Sequence, residues 1–463
     1  MTRIRKIHLT AACGTGMGTL ACMLKQMGYE VTGSDQHVYP PMSDVLAANG
    51  IRLFDGFDPA NLDHGPDLVI IGNAVTRNNP EAVAVLERNI PYLSMPQAVN
   101  RFVAADKKII LVTGTHGKTT TAAIMSHILA VAGLDPGFMI GGILRDYQSG
   151  FRIGGGDYMV IEGDEYDTAF FDKGAKFMHY DPFITVVTGV EFDHADIFMD
   201  LDHVKSVFAS LVAKVADQSH LIVCRDSPHL MDILTGQPGR PVTYGTGGDW
   251  WFTDPVQKDG LTRAKIHGPG PDYEIQTRLP GHHNLMNFLA CAAAVHIIGV
   301  DTGRIQEAMA SFSGVKRRQE IRGVKNGITV MDDFAHHPSA VKATIRAVKP
   351  FYTQGRVIAV FEPRTNTSMR RFFQDSYPAA FAEADIVCIC NPVTKKQIPE
   401  NERFSPEKLV SDIAALGVAA HHFSDTREVL AFLPPQLAPG DLVLIMSNGG
   451  FDNIHTRLLE KIE

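Results

Sequence analysis

Cysteine pairs are missing from this chain. Its six cysteines, Cys13, Cys22, Cys224, Cys291, Cys388 and Cys390, are scattered over 463 residues and none forms a Cys-x-x-Cys pair. That scatter argues against a structural zinc or dithiol site and agrees with a reducing compartment, the cytoplasm. Cys388 and Cys390 alternate within the apolar run 386–390, so both point to one face of a strand as buried thiols. No uninterrupted apolar run approaches the roughly 20 residues of a membrane-spanning helix. Residues 1–10 carry basic side chains but no following apolar stretch with a small-residue cleavage site, so they read as a first strand and not as a signal peptide. An excess of positive charge is absent too. The net charge of -8 excludes bulk binding to nucleic acid or to a membrane surface. There is no short tandem repeat and no low-complexity segment.

What is present is a globular composition, 45% hydrophobic and 20% charged, in a chain long enough for two to four domains of roughly 100–200 residues. Three α/β blocks are expected: 1–104, 105–320 and 321–463. The first has a strand at 4–10, the glycine-rich turn Cys13-Gly14-Thr15-Gly16-Met17-Gly18, a helix to about residue 27, and a second strand ending at Asp35. That is the order of a doubly wound nucleotide-binding unit. The turn alone is weak evidence, because its spacing is not G-x-G-x-x-G. The second block opens with a strand at 109–113, a loop, and a helix to about residue 132. Further strands are expected at 158–161 and 183–187, and a helix at 284–298. Region 236–271 reads as a loop-rich excursion at the domain edge. The third block has strands at 328–331, 356–361, 386–389 and 442–446.

The strongest motif is Thr113-Gly114-Thr115-His116-Gly117-Lys118-Thr119-Thr120, after an apolar strand and at the start of a helix. Backbone N–H groups of such a loop cradle phosphate oxygens. Lys118 then neutralises β/γ-phosphate charge and the Thr119 hydroxyl ligates magnesium. The spacing departs from G-x-x-x-x-G-K-[ST], since Gly114 and Gly117 enclose two residues only. Two acidic clusters follow apolar strands: Glu162-Gly163-Asp164-Glu165-Tyr166-Asp167 and Glu191-Phe192-Asp193-His194-Ala195-Asp196. Carboxylates crowded at strand C-terminal ends call for a cation, although solvated acidic turns give the same pattern. In His283-Asn284-Leu285-Met286-Asn287, two amides three residues apart share a helix face and can read a purine edge. Helix capping by Asn284 is the plainer alternative. By themselves, Lys316-Arg317-Arg318 and Asp332-Asp333-Phe334-Ala335-His336-His337-Pro338 are a basic triplet and an acidic turn.

Taken together these motifs resemble the Mur ligase superfamily of peptidoglycan synthesis, over essentially the whole chain. The resemblance implies an α/β protein of three domains. A Rossmann-like amino-terminal domain would hold a UDP-sugar, a central P-loop ATPase-like domain with a parallel sheet would hold ATP, and a Rossmann-like carboxy-terminal domain would hold a peptide. It implies an ATP- and magnesium-dependent amide ligase acting through an acyl phosphate. Its substrates would be UDP-N-acetylmuramate and the tripeptide L-alanyl-γ-D-glutamyl-meso-diaminopimelate, with a single L-alanine as the alternative amine. The loops Glu362-Pro363-Arg364-Thr365-Asn366-Thr367 and Ser447-Asn448-Gly449-Gly450-Phe451 resemble those of tripeptide-adding members.

Carried onto this chain, the resemblance assigns Gly114, Thr115, His116, Gly117, Lys118, Thr119 and Thr120 to ATP. Asn284 and Asn287 go to the adenine, Arg318 to the phosphates and Asp333 to the ribose. Metal would sit on Thr119, Glu162 and His194, and His116 would touch the sugar-linked carboxylate. Thr15, Gly16, Met17, Gly18, Asp35 and Asn73 would hold the nucleotide sugar. Arg364, Asn366, Thr367, Ser447 and Asn448 would hold the peptide. Ala11 stands where relatives have the first glycine of the run. Ala209 stands where some members carry a carbamylated lysine, so no carbamate is expected. From the residues alone, a P-loop phosphotransferase and a non-catalytic nucleotide-binding module are the other readings. The sequence sets no oligomeric state.

Overall fold

The computed structural model describes residues 4–38, 40, 42–392 and 398–462. Short strands made of unbroken apolar residues are covered on both faces, as parallel sheets require. In the first block five parallel strands lie in the order Arg52–Asp55, Glu30–Asp35, Lys6–Thr10, Leu68–Ile71, Tyr92–Ser94. The chain reverses its winding direction at Lys6–Thr10, so the turn that follows this strand opens at the switch point where such sheets bind ligands. The helix Thr15–Gln26 starts from that turn.

The central block has seven strands in the order Val242–Tyr244, Leu221–Cys224, Pro182–Val187, Lys108–Thr113, Tyr158–Glu162, Gly137–Leu144, Ser149–Arg152. Only the last pair in that sheet is antiparallel. Its switch point falls on Lys108–Thr113, flanked by the strands that precede the two acidic clusters. The helix Lys118–Val131 follows, packed against His282–Ile298. Region 236–271 is not loop-rich. It contains the strand Val242–Tyr244 and most of a three-stranded antiparallel sheet, Trp251–Lys258, Leu261–His267 and Tyr273–Thr277. Its first turn is Asp259-Gly260, with φ of 55° and 73°, a two-residue hairpin signal that glycine-rich composition obscured.

The third block has six strands in the order Glu320–Lys325, Ile328–Asp333, Leu442–Met446, Val357–Phe361, Ile386–Cys390, Ala419–Phe423, parallel except for the first pair. Cys388 and Cys390 share one buried face of it. One continuous apolar cluster joins the first and central blocks. The third block instead has its own apolar clusters, one on each face of its sheet.

Candidate active site

The 113–120 loop takes its shape from two glycines. Gly114 has φ 119°, and a Cβ there would run into Thr188 and the backbone of Gly189. Gly117, at φ 83°, precedes the helix and would place a Cβ 2.5 Å from Oδ1 of Asn287. L-residues avoid this left-handed region. Lys118 then folds back over the loop. Its Nζ donates to the carbonyls of Gly114 (2.5 Å) and Thr115 (3.3 Å) and pairs with Glu165 at 3.1 Å. Burial alone would lower the pKa of the ammonium, but Glu165, Glu162 and Asp164 outweigh it and the net shift is upward.

Glu165 is the residue that sequence reasoning quoted and did not select. Its side chain is 3% exposed and lies between Lys118 and His194, whose Nε2 is 3.0 Å away. Burial would raise the pKa of this carboxyl, yet the two cationic partners hold it well below the usual range. Burial likewise lowers His194, but Glu165 and Asp193 reverse it and raise the imidazole. His194 Nδ1 meets the Tyr166 hydroxyl at 2.8 Å. Of the expected metal set, Thr119 and Glu162 meet directly: the hydroxyl donates to Oε1 at 2.9 Å, while Gly141 N–H donates to Oε2 at 2.7 Å. His194 joins that pair by way of Glu165 and Lys118. One hydroxyl, clustered carboxylates and one imidazole form a donor set that suits a hard divalent cation.

Arg318 reaches the Thr119 hydroxyl at 3.3 Å. Asn284 donates to Pro280 O and to Gln319 Oε1, and Asn287 donates to Asn284. The helix begins at His282, so Asn284 is inside its first turn and does not cap it. Asp333 accepts the N–H groups of Gln319 and Ala335 on its two oxygens, and burial raises its pKa. Thr115 Oγ1 accepts Glu191 N–H and donates to Glu191 O. Thr120 is buried at the start of the helix.

On one side of Lys118 is a cleft of about 510 Å³ lined by Thr15, Gly16, Met17, Asp35 and Asn73 of the first block and by Lys118, Gly141, Glu162, Asp164 and Lys176 of the central one. Asp35 accepts Cys13 N–H and so holds the turn. Gly18 is packed inside its helix beneath Met42 and does not line this cleft. Ala11 adopts φ 65°, a left-handed conformation that glycine would take without strain.

The other side meets the third block. His116 faces Glu191, 3.6 Å from Nε2, and its ring lies 4.6 Å from that of His337. Ser339 donates to Glu191 at 2.8 Å, and Ala195 N–H donates to Thr367 Oγ1 at 3.2 Å. Burial raises Glu191, but His116, Ser339 and His337 hold it down at about 2. Burial and the neighbouring His116 lower His337 to about 4. His116, Glu191 and His337 offer ligand atoms within 4.8 Å of one another. Nδ1 of His337 accepts Ser339 N–H, and Nε2 of both His116 and His337 is buried without a hydrogen-bond partner, so the trio meets through ion-pair and ring contacts at 3.6, 3.7 and 4.6 Å. Beyond it Ser447 donates to Glu362 at 2.6 Å, and Arg364 lies 3.6 Å from the same carboxylate. Asn448 has a buried Oδ1 without a hydrogen-bond partner, and Asn366 is half-buried on the loop next to Thr367.

Comparison with known proteins agrees with this layout. Residues 6–107 match the model described as Mur ligase family, catalytic domain; 112–295 match the Mur ligase middle domain; 317–449 match the Mur ligase, glutamate ligase domain. The UDP-N-acetylmuramate–L-alanyl-gamma-D-glutamyl-meso-2,6-diaminoheptandioate ligase of Escherichia coli is 42% identical over 98% of both chains. That of Haemophilus influenzae is 38% identical over 99% of this chain and all of its own. A UDP-N-acetylmuramate–L-alanine ligase from Carboxydothermus hydrogenoformans is 32% identical over 99% and 98%. The crystal structure of a murein peptide ligase from Psychrobacter arcticus superposes with a TM-score of 0.72 at 32% identity, covering 99% of each chain. With family models matching its three blocks in turn and relatives matching along its length, the chain belongs to the Mur ligase family.

Proposed function

We propose that this ATP-dependent amide ligase joins the lactyl carboxylate of UDP-N-acetylmuramate to the amine of L-alanyl-γ-D-glutamyl-meso-diaminopimelate. The observation that carries the reading is the position of Lys118. It lines the cleft shared with the first block, and its partner Glu165 also holds His194, whose loop is bonded to the third block through Ala195 and Thr367. A carboxylate, a triphosphate and an amine brought from three sides would converge there. All the reacting oxygens are anionic, so the protein's task is positioning and charge neutralisation.

In this reading residues 1–104 hold the nucleotide sugar, 105–320 hold ATP and 321–463 hold the peptide. Lys118 and Arg318 face the phosphates, Asn284 and Asn287 the adenine, and Asp333 the ribose. Thr119, Glu162 and His194 would hold magnesium, which supplies positive charge to phosphate oxygens when bound. Glu165 orients Lys118 and His194, and His116 serves the reacting carboxylate. Arg364, Asn366, Thr367, Ser447 and Asn448 receive the peptide's polar groups. ATP and a nucleotide sugar place the reaction in the cytoplasm, within cell-wall peptide reuse.

Phosphate release with ATP, magnesium and UDP-N-acetylmuramate tests this. Release with the tripeptide and not with L-alanine is expected. Release with L-alanine alone would make the chain the alanine-adding ligase, the reading favoured by its 32% identical relative. ADP formation without any amine, with the phosphate retained on a phosphorylated product, would make it a phosphotransferase.

A further inference from the structure

Lys316, Arg317 and Arg318 form the strap between the central and third blocks. Lys316 N–H donates to Ile143 O of the central block, and Phe334 N–H of the third block donates to Arg317 O. The two arginines lie against one ring, 5.3 and 4.8 Å from the centroid of Phe334, and then diverge. Arg318 goes to Thr119 in the phosphate loop. Arg317 sends one Nη2 to two main-chain carbonyls, Ser447 O and Gly449 O, both at 2.6 Å. These carbonyls flank Asn448, whose Oδ1 is buried and unpartnered.

The backbone supports this divergence. Arg317 sits at φ 62°, a conformation that persists in a non-glycine residue only where surroundings over-determine it. Here Glu320 accepts its N–H at 2.9 Å and Asp332 lies 3.5 Å from its Nε. The braced loop in turn carries the specificity groups. Ser447 Oγ accepts Gly449 N–H and donates to Glu362, and a Cβ on Gly449 would run into Arg364.

We infer that Arg317 is a positioning residue that couples occupancy of the nucleotide site to the shape of the 447–449 loop, so that the peptide subsite is completed when the strap is drawn in by nucleotide. Charge-assisted bonds to carbonyls are the strong kind, and one guanidinium serving both ends of a three-residue loop fixes its curvature. A phosphate group pulling Arg318 moves the residue bonded to Arg317 in the chain. The inference rests on the proposed peptide role of this loop.

The test uses the full-length enzyme and Arg317→Ala. Steady-state KM values are measured for tripeptide and for ATP, and tripeptide binding is titrated with and without a non-hydrolysable ATP analogue and magnesium. In the wild type the analogue should tighten tripeptide binding. In R317A the peptide KM should rise about tenfold or more, the tightening should vanish, and nucleotide affinity without peptide should stay within about twofold. An unchanged peptide KM, or retained tightening, overturns the inference. An equal weakening of both substrates also overturns it, because it marks general damage. Should R317A fail to fold, Arg317→Lys is read the same way and should be intermediate, since an ammonium keeps the charge and loses the planar fork. Failure of the peptide reading itself is distinguishable, for then the wild type releases no phosphate with tripeptide.

Discussion

The central block has two unlike seams. Toward the first block it shares a continuous apolar cluster, with the helix Thr15–Gln26 packed on the strands Gly137–Leu144 and Ser149–Arg152. Toward the third block the contacts are chiefly polar and titratable: Glu191 with His337 and Ser339, the His116 ring with that of His337, Asp193 with His336, Ala195 with Thr367, and the arginine strap. Apolar burial is insensitive to charge and holds a fixed geometry. A polar seam of equal extent yields to protons, salt and ligands. The contrast makes the first-block side a wall and the third-block side the part that responds.

Lys118 lines the first-block cleft and pairs with Glu165, which also holds His194 beside the third-block seam, and its loss should have the largest effect. Lys118→Ala is expected to lower kcat by about a thousandfold, read as phosphate release, while the melting temperature changes little, because Glu165 retains His194. An equal loss of fold would show that the Lys118–Glu165 pair is structural.

Acid should separate the seams. His337 is held neutral by burial, with a folded pKa of about 4 against roughly 6.5 unfolded. The unfolded chain therefore takes the proton first. Stability is full above about pH 6.5 and is lost as pH falls toward 4, by at most about 2–3 kcal/mol. Glu191, down at about 2, adds a second loss in the same direction between about pH 4.5 and 2. Urea midpoints from pH 7 to 4 should drop less in His337→Asn, which keeps the helix cap that His337 supplies. Hydrogen exchange over the same range should open residues 334–341 before residues 15–26; the reverse order would contradict the contrast.

Gly117→Ala forces a Cβ onto Asn287 at a left-handed φ, and should cost about 2 kcal/mol in thermal unfolding. The smallest effect belongs to the other glycine-type turn. Ala11 already occupies φ 65°, so Ala11→Gly should be neutral or stabilising by up to about 1 kcal/mol. A clear destabilisation would show that its methyl group packs usefully against the first-block seam.

Much of this was readable before any coordinates. Apolar runs, glycine turns and acids at strand ends determined three α/β blocks and the strand–loop–helix at 113–120, since those features are local and follow from backbone sterics and burial. The Asp259-Gly260 hairpin was equally local and was obscured by composition. Tertiary structure decided which charges meet. Nothing in the spacing of Glu162, Asp164 and Glu165 indicates that Glu165 alone pairs with both Lys118 and His194, or that His116 turns to Glu191 and His337 at the third-block seam. Nor does it indicate that adjacent arginines serve opposite sites. Partners 47, 75 or 130 residues apart in sequence are set by sheet order and by the approach of separate blocks. Those arise from the packing of the whole chain, which leaves no periodic trace in its sequence.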